Sequence, residues 1–380
     1  MRVGILGGGQ LGRMLALAGY PLGLEFRFLD PAAGAPAGHL AELTSADWLD
    51  REALARFAEG LDVVTYEFEN VPVAAVEMLA ERVEIQPGAK ALRVAQSRLE
   101  EKECFRRLGI DTAAFAPVET RDALADAVRA LGLPSVAKTQ RMGYDGKGQA
   151  VVRTSADVDA AWQALGAGSV PLIVESFVPF QRELSVLAVR ARNGDTAFYP
   201  LVENVHRGGI LHRSIAPAPR VDDSLRDRAR GYAARVLAEL DYVGVLALEL
   251  FQDGDRLLAN EMAPRVHNSG HWTIEGAATS QFENHLRAVL GLPLGSTVAV
   301  GASAMVNLIG EVPPLEAMLG IPEAHVHLYG KGPRPGRKLG HVTIHAESDL
   351  LVDGPLARLE AMLAGSNGSI ASATSNSCGE

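Results

Sequence analysis

Cysteine is scarce in this chain: only Cys104 and Cys378 occur among 380 residues, which excludes a disulfide framework and a four-cysteine metal site. Long apolar runs are missing too. No stretch reaches the roughly 18 to 20 residues that span a bilayer, and the first residues alternate like a strand, unlike a signal peptide. The net charge of -10 opposes general attraction to nucleic acid. We therefore expect a soluble, cytoplasmic protein that binds neither a membrane nor nucleic acid.

Apolar residues are plentiful: 47% of the chain is hydrophobic and 22% is charged, over a length that suits two or three domains. The first part repeats strand, glycine turn and helix, which is typical of a doubly wound parallel sheet. The predicted strands of this unit are residues 3–6, 26–29 and 63–66. A smaller unit is predicted over about 113–174, strands dominate from Glu175 onward, and the polar stretch from Gly365 predicts a disordered tail.

A glycine-rich turn, GGGQLG, runs from Gly7 to Gly12 after the first predicted strand. Glycines permit a tight turn, and free backbone N–H groups at a helix N-terminus can hold phosphate. Asp30 ends the second predicted strand, where a ribose-binding acid would lie. The pattern fits a nicotinamide or flavin site, another phosphate ligand, or glycines that serve only the fold. The turn alone does not decide among them.

A second glycine-rich segment follows Lys138, which ends a predicted strand. The glycines at 143, 146 and 148 permit close approach of the backbone to phosphate oxygens, so the segment predicts a mobile cover over a polyphosphate. The alternative is a flexible hairpin in which Lys147 is solvated. No Gly-Lys-Ser or Gly-Lys-Thr occurs in the chain, which excludes a P-loop.

Two acidic residues lie in neighbouring predicted strands. Glu249 interrupts an apolar strand, and Asn260 with Glu261 closes the strand after the next turn. A hairpin would bring both glutamates side by side as hard oxygen ligands of the kind that Mg²⁺ requires, with phosphate and water completing its shell. The alternative is a pair of carboxylates on an exposed sheet face, although acids inside apolar strands are costly when unpaired.

The segment after these acids, APRVHNSGHW, is polar and predicted to face the reaction centre. His267 and His271 have helical spacing, but no third histidine or cysteine accompanies them, so hydrogen bonding is favoured over zinc. Later, a glycine- and proline-rich loop carries four cations, Lys331, Arg334, Arg337 and Lys338. It predicts a clamp for a phosphate monoester, and a plain solvated loop is the alternative.

Taken together, five motifs make the chain resemble the N5-carboxyaminoimidazole ribonucleotide synthetase family of ATP-grasp ligases. These are GGGQLGRM, YEFENVP, GYDGKGQ, NEMAPRVHNSGHWT and RPGRKLGH, which occur in this order. The resemblance implies ATP-dependent carboxylation of 5-aminoimidazole ribonucleotide by bicarbonate in purine biosynthesis, through carboxyphosphate, giving ADP and phosphate. It also implies a homodimer that uses Mg²⁺, for which Mn²⁺ can substitute, and no biotin.

The fold that the resemblance implies is α/β, becoming α+β in the C-terminal part. A Rossmann-like parallel-sheet domain (1–97) would precede a small lid domain (98–174) and a large mixed-sheet catalytic domain with the basic loop (175–364), followed by the tail (365–380). Rival interpretations are a formate-using ligase acting on glycinamide ribonucleotide, a biotin-dependent carboxylase, an NAD-dependent dehydrogenase and a non-catalytic nucleotide-binding module. The dehydrogenase alternative leaves the later motifs unexplained.

Carried over by position, the family's residues give the following expectations. ATP would contact Arg98, Lys138, Gly143, Tyr144, Asp145, Gly146, Lys147, Gly148, Gln149, Glu175, Ser176, Phe177, Val178, Glu183, His206, Asn260 and Glu261. The aminoimidazole nucleotide would contact Gly9, Gln10, Leu11, Glu69, Tyr144, Asp145, Arg265, His267, Asn268, Lys331, Arg337 and Lys338. Glu249 and Glu261 would bind magnesium. The catalytic groups would be Lys138, Arg265 and Asp145. Arg265 would hold bicarbonate, and Asp145 would act as the base.

Overall fold

The structure, a computed structural model, describes residues 1–143, 147–166 and 168–373, with side chains through Ala364. Its first unit is a parallel sheet of order β3-β2-β1-β4. The elements are β1 (Arg2–Leu6), α1 (Gln10–Gly19), β2 (Glu25–Asp30), β3 (Glu42–Ser45), α2 (Arg51–Ala58), β4 (Val63–Tyr66) and α3 (Val73–Ala80). The three predicted strands are confirmed, and the short, partly exposed β3 adds an edge that apolar patterning did not indicate.

Two helices, α4 (Ala89–Ala95) and α5 (Arg98–Arg107), lead into a small antiparallel sheet of order β5-β8-β6-β7. Its elements are β5 (Phe115–Val118), α6 (Arg121–Leu131), β6 (Ser135–Thr139), β7 (Gln149–Val152), α7 (Asp157–Ala164) and β8 (Leu172–Ser176). Apolar side chains of α6 and α7 pack on one face of this sheet in a core of their own. The small unit is therefore separately packed, as a lid requires.

The third sheet is the largest, with the path β14-β13-β9-β11-β12-β15-β17-β16 and β10 paired to β9. Its strands are β9 (Arg182–Arg190), β10 (Thr196–Phe198), β11 (Val202–Arg207), β12 (Ile210–Ala216), β13 (Gly244–Asp253), β14 (Arg256–Ala263), β15 (Ala302–Ile309), β16 (Ala324–Leu328) and β17 (Lys338–Ala346). The pairings of these strands are antiparallel, so the predicted mixed sheet is corrected to an antiparallel one. Consecutive strands such as β11 and β12, or β13 and β14, are joined by hairpins, which need no crossover helix.

The helices of the large unit are α8 (Asp223–Glu239), α9 (Thr273–Gly276), α10 (Gln281–Val289), α11 (Leu315–Leu319) and α12 (Asp349–Ala373). One continuous core joins this unit to the first sheet, because Ile5 and Leu15 belong to the same buried cluster as Leu187 and Trp272. The glycine-rich turn and the large sheet are thus held in fixed relation.

The end of the chain differs from the sequence prediction. Helix α12 extends to Ala373, past Gly365, where the disordered tail is predicted to start. Residues 374–380 lie outside the described part. In the described residues, no helix is both long and apolar enough to cross a bilayer.

Candidate active site

The two predicted metal-binding acids lie directly opposite each other on adjacent strands. Glu249 of β13 pairs in register with Glu261 of β14, and a bulge follows this pair. Burial, together with the charge of Glu261, raises the pKa of Glu249 to about 8. Two acids that hinder each other's ionisation form a site that a cation would stabilise. The described residues hold no cluster of three or more metal-ligating side chains, so such a cation would need further oxygen ligands from phosphate and water.

A ring of polar groups surrounds the carboxylate pair. His206 on β11 lies with Nδ1 2.8 Å from Glu183 Oε2 on β9. Burial opposes protonation of His206, but Glu183, Glu249 and Glu261 together raise its pKa. His267 Nε2 lies 3.4 Å from Glu249 Oε1, and burial followed by the charge of Arg265 lowers the pKa of His267 well below its usual value. His267 is therefore a neutral hydrogen-bonding residue.

Lys138 approaches from the small sheet and is held by Glu175. Its Nζ lies 3.0 Å from Glu175 Oε2, and the buried Lys102 contacts the same oxygen at 3.4 Å. Burial alone would raise the pKa of Glu175, but Lys102 and Lys138 lower it to about 2. The other carboxylate oxygen, Oε1, is buried with no partner among the described residues. The side chain of Glu175 thus serves to orient lysine.

Helix α5 contributes residues that the motifs did not single out. Glu101 Oε1 accepts the Met262 N–H at 2.7 Å, next to Glu261, and Lys102 donates to the Ala259 carbonyl at 3.3 Å. Both side chains are almost fully buried although they lie in a highly charged helix. Periodicity predicts solvent exposure for such positions. Only the packing of α5 against β14 reveals their role.

Arg98, at the start of α5, lies beside Gly143, where the glycine-rich lid segment begins. Its Nη1 donates to the Thr139 carbonyl at 2.8 Å, and a Cβ on Gly143 would collide with its guanidinium. Gly148 and Gln149 continue the loop, the latter paired with Lys138 across β6 and β7. Tyr144, Asp145 and Gly146 lie outside the described residues.

The predicted adenine segment lies beside a cavity of about 530 Å³. Ser176, Phe177 and Val178 line this cavity at the end of the small sheet, together with residues of the large sheet such as Leu258. Asn260 lies on β14 beside Glu261. Of the predicted ATP residues, Ser176, Phe177 and Val178 line the cavity, whereas Lys138, Glu183 and Glu261 do not.

The glycine turn does not hold its amides open for phosphate, which corrects the prediction of free N–H groups there. Glu67, at 8% exposure, accepts the N–H of Gly9 at 2.7 Å through Oε1, and those of Leu11 and Gly12 at 3.1 and 3.2 Å through Oε2. Asp30, predicted to bind ribose, instead accepts the Gly8 N–H at 2.8 Å. The chain's own carboxylates thus occupy the anion position of the fingerprint, which argues against a dinucleotide site.

Side chains around this turn connect it to the basic loop. Lys331 donates to the Gln10 side chain, and Arg265 pairs with Glu69. Burial and the nearby cations of the loop lower the pKa of Lys331, although the charge of Glu67 opposes this shift. A phosphate would relieve that repulsion. Asn268 lies nearby with both amide atoms buried and without partners in the described part of the chain.

Family models match three consecutive parts of the chain. Residues 1–96 match the ribonucleotide synthetase preATP-grasp domain, residues 103–282 the ATP-grasp domain, and residues 303–353 the phosphoribosylaminoimidazole carboxylase C-terminal domain. N5-carboxyaminoimidazole ribonucleotide synthase of Pseudomonas aeruginosa is 53% identical over 96% of this chain and 99% of its own length.

Solved structures give the same result. The synthetase of Thermus thermophilus superimposes with a TM-score of 0.91 at 59% identity, covering 95% of this chain and 98% of its own. The synthase of Aspergillus clavatus, solved with ADP and 5-aminoimidazole ribonucleotide, gives a TM-score of 0.88 at 36% identity over 95% of this chain and 98% of its own.

The three sheets and the cleft between the last two define an ATP-grasp ligase. Within that class, the chain belongs to the N5-carboxyaminoimidazole ribonucleotide synthase family of purine biosynthesis.

Proposed function

We propose that this chain joins bicarbonate to the exocyclic amine of 5-aminoimidazole ribonucleotide, converting ATP to ADP and phosphate. The observation that carries the proposal is the Glu249–Glu261 pair, whose Glu249 lies 3.4 Å from His267. A bicarbonate oxygen attacks the γ-phosphorus and ADP leaves, giving carboxyphosphate. The amine nitrogen then attacks the carboxyl carbon, phosphate leaves, and the amine loses a proton.

ATP would lie in the cleft between the small and large sheets. Lys138 and Arg98 would contact the phosphates, and the loop over 143–149 would cover them and exclude water from the carboxyphosphate. The segment over 175–178 would bind the adenine edge, and Glu183 would bind the ribose. His206, with its raised pKa, would add positive charge near the phosphates.

Glu249 and Glu261 would hold Mg²⁺, with Asn260 adjacent, and Mn²⁺ could substitute; paired carboxylates suit such a hard cation. When bound, it supplies positive charge to the transferring phosphoryl group. The raised pKa of Glu249 supports this assignment, because the two carboxylates repel each other in its absence.

The aminoimidazole nucleotide would lie on the opposite side, against the basic loop. Lys331, Arg337 and Lys338 would bind its phosphate, as the crowding of cations around Lys331 favours. Its ribose would contact Glu69 and the side-chain and carbonyl groups of the turn at 9–11, since the turn's N–H groups at Gly9 and Leu11 bind Glu67.

The ring would meet Tyr144, the neutral His267 and the amide of Asn268, which has no partner among the described residues. Arg265 would hold bicarbonate in line with the γ-phosphorus. Its guanidinium would then have to contact both Glu69 and bicarbonate. Asp145 would take the proton from the amine, an assignment that rests on the family motif alone. The cytoplasmic location and a homodimer are proposed on the same resemblance.

Release of ADP tests the proposal when acceptor and acid are varied independently. Aminoimidazole ribonucleotide with bicarbonate should stimulate ADP release, whereas glycinamide ribonucleotide with formate should not. Stimulation only by the glycinamide pair would overturn the assignment. Asp145→Asn should lower carboxylation with nucleotide affinity preserved, and full activity in that variant would remove Asp145 as the base.

A further inference from the structure

The basic loop is closed at its base by a buried side-chain pair. Tyr329 follows β16 and His341 lies within β17, and the Tyr329 hydroxyl lies 2.8 Å from His341 Nδ1. Tyr329 is 2% exposed and His341 is fully buried. The Tyr329 N–H also donates to the Leu339 carbonyl at 2.9 Å. The two ends of the loop that carries Lys331 and Lys338 are therefore hydrogen-bonded to each other through Tyr329.

His341 is the centre of a stack of imidazole rings. The ring of His327 lies parallel to it with centroids 4.5 Å apart, and the ring of His271 lies 4.7 Å away. His327 Nε2 lies 2.6 Å from Glu275 Oε1, which orients the outer ring. His271 ends the segment that carries Arg265 and His267. The stack thus joins the basic loop to the segment that we expect to bind the ring of the aminoimidazole nucleotide.

The central rings of the stack carry no charge, and one of their nitrogen atoms lacks a hydrogen-bond partner among the described residues. Burial lowers the pKa values of His271 and His341 well below the usual range, so both rings are neutral near pH 7. His341 Nε2 is buried with no hydrogen-bond partner in the described residues. An unpaired buried polar atom costs stability that an apolar ring would avoid. The arrangement therefore favours a role for His341 beyond filling space.

We propose that Tyr329, His341 and His271 are positioning residues that fix the spacing between the basic loop and the Arg265–His267 segment. One nucleotide must bridge these two segments, its phosphate at Lys331 and its ring at His267, so the spacing sets how well both ends are held at once. The inference rests on the proposed function and adds residues that touch neither ATP nor the reacting atoms.

The test is steady-state kinetics of Tyr329→Phe, which removes only the hydroxyl. The KM for aminoimidazole ribonucleotide should rise about 2- to 12-fold, the factor for one neutral hydrogen bond, while kcat and the KM for ATP stay within about twofold. His341→Leu should raise the same KM, and His341→Asn, whose amide can reach the Tyr329 hydroxyl, should restore it in part. Tyr20→Phe is the matched control, since it removes a 2.8 Å bond to the Leu40 carbonyl outside the site.

An unchanged nucleotide KM in Tyr329→Phe, or equal changes in kcat and in the KM for ATP, would overturn the positioning role. If Tyr329→Phe unfolds, the shift in thermal midpoint caused by aminoimidazole ribonucleotide is compared in His341→Asn and His341→Leu instead. A full wild-type shift in both variants would contradict the proposal. A wild-type enzyme that fails to carboxylate the nucleotide would instead contradict the proposed function, and this inference with it.

Discussion

Glu249 and Glu261 occupy directly paired positions on β13 and β14, and the pKa of Glu249 is raised to about 8 by burial and by its partner. The pair is unfavourable by itself because two acids share one partly buried site. It becomes favourable once a divalent cation and the phosphates of ATP join it. Binding and stability should therefore respond in opposite directions when either charge is removed.

Glu249→Gln should raise the thermal midpoint of the ligand-free protein, because the repulsion with Glu261 is removed. It should also lower ADP release on the order of 100-fold and abolish the stabilisation given by Mg²⁺ with ATP. Differential scanning fluorimetry with and without the ligands measures both effects. Glu52→Gln, on the exposed surface of α2, is the control. A variant that keeps the ligand-induced shift would contradict the metal assignment.

Glu67→Ala should destabilise the protein by about 1–3 kcal/mol, since the N–H groups of Gly9, Leu11 and Gly12 lose their buried acceptor. Acetate should restore part of that stability by entering the vacated anion position, whereas chloride at equal ionic strength should do less. Urea unfolding in the two salts measures this. Equal stability of variant and wild type would show that the carboxylate does not support the turn.

Gly143→Ala should raise the KM for ATP roughly 10-fold, because the new Cβ would displace the Arg98 guanidinium from its place beside residue 143. The KM for the aminoimidazole nucleotide should stay unchanged. Gly88→Ala provides the control, since a Cβ there meets nothing within 4 Å. Initial rates at varied ATP decide the matter, and a wild-type KM in Gly143→Ala would count against the placement of Arg98.

His285 should make the protein less stable in mild acid. It lies between the first and third sheets, with Nε2 2.8 Å from Thr65 Oγ1 and Nδ1 accepting the Val245 N–H at 3.1 Å. Burial lowers its pKa to about 3, against about 6.5 when unfolded. Only the unfolded chain takes up a proton between these values, so the stability is complete above about pH 6.5 and falls as the pH drops toward 3.

The slope from this one group should approach about 1.4 kcal/mol per pH unit. Urea unfolding at pH 7.5, 6.5 and 5.5 measures this slope of unfolding free energy against pH. His285→Gln should lower the slope by the contribution of one titrating group. His271 and His341, whose pKa values are also lowered, should keep part of the slope in that variant. An unchanged slope in His285→Gln would mean that His285 is already protonated in the fold.

Local patterns were sufficient to predict much of this architecture. Alternation and turn residues predicted β1, β2, β4 and the hairpin that pairs Glu249 with Glu261, because strand register follows from the connecting turn. The motifs also placed Lys138 next to the lid loop.

Contacts between distant segments could not be predicted in this way. The carboxylate of Glu67 reaches the glycine turn across 58 residues of sequence, and no local pattern distinguishes a turn filled by the chain's own acid from one filled by phosphate. Lys102 is buried in a helix whose composition indicates exposure, since its partner Glu175 comes from the small sheet. The His271–His341 stack likewise depends on tertiary packing.

Transfer of oxygen from ¹⁸O-labelled bicarbonate tests the central claim, that ATP activates bicarbonate above the Glu249–Glu261 pair for attack by the nucleotide's amine. Mass spectrometry of the released phosphate, with aminoimidazole ribonucleotide present, should find one labelled oxygen per phosphate. Phosphate that carries no label while the nucleotide is carboxylated would contradict the carboxyphosphate route.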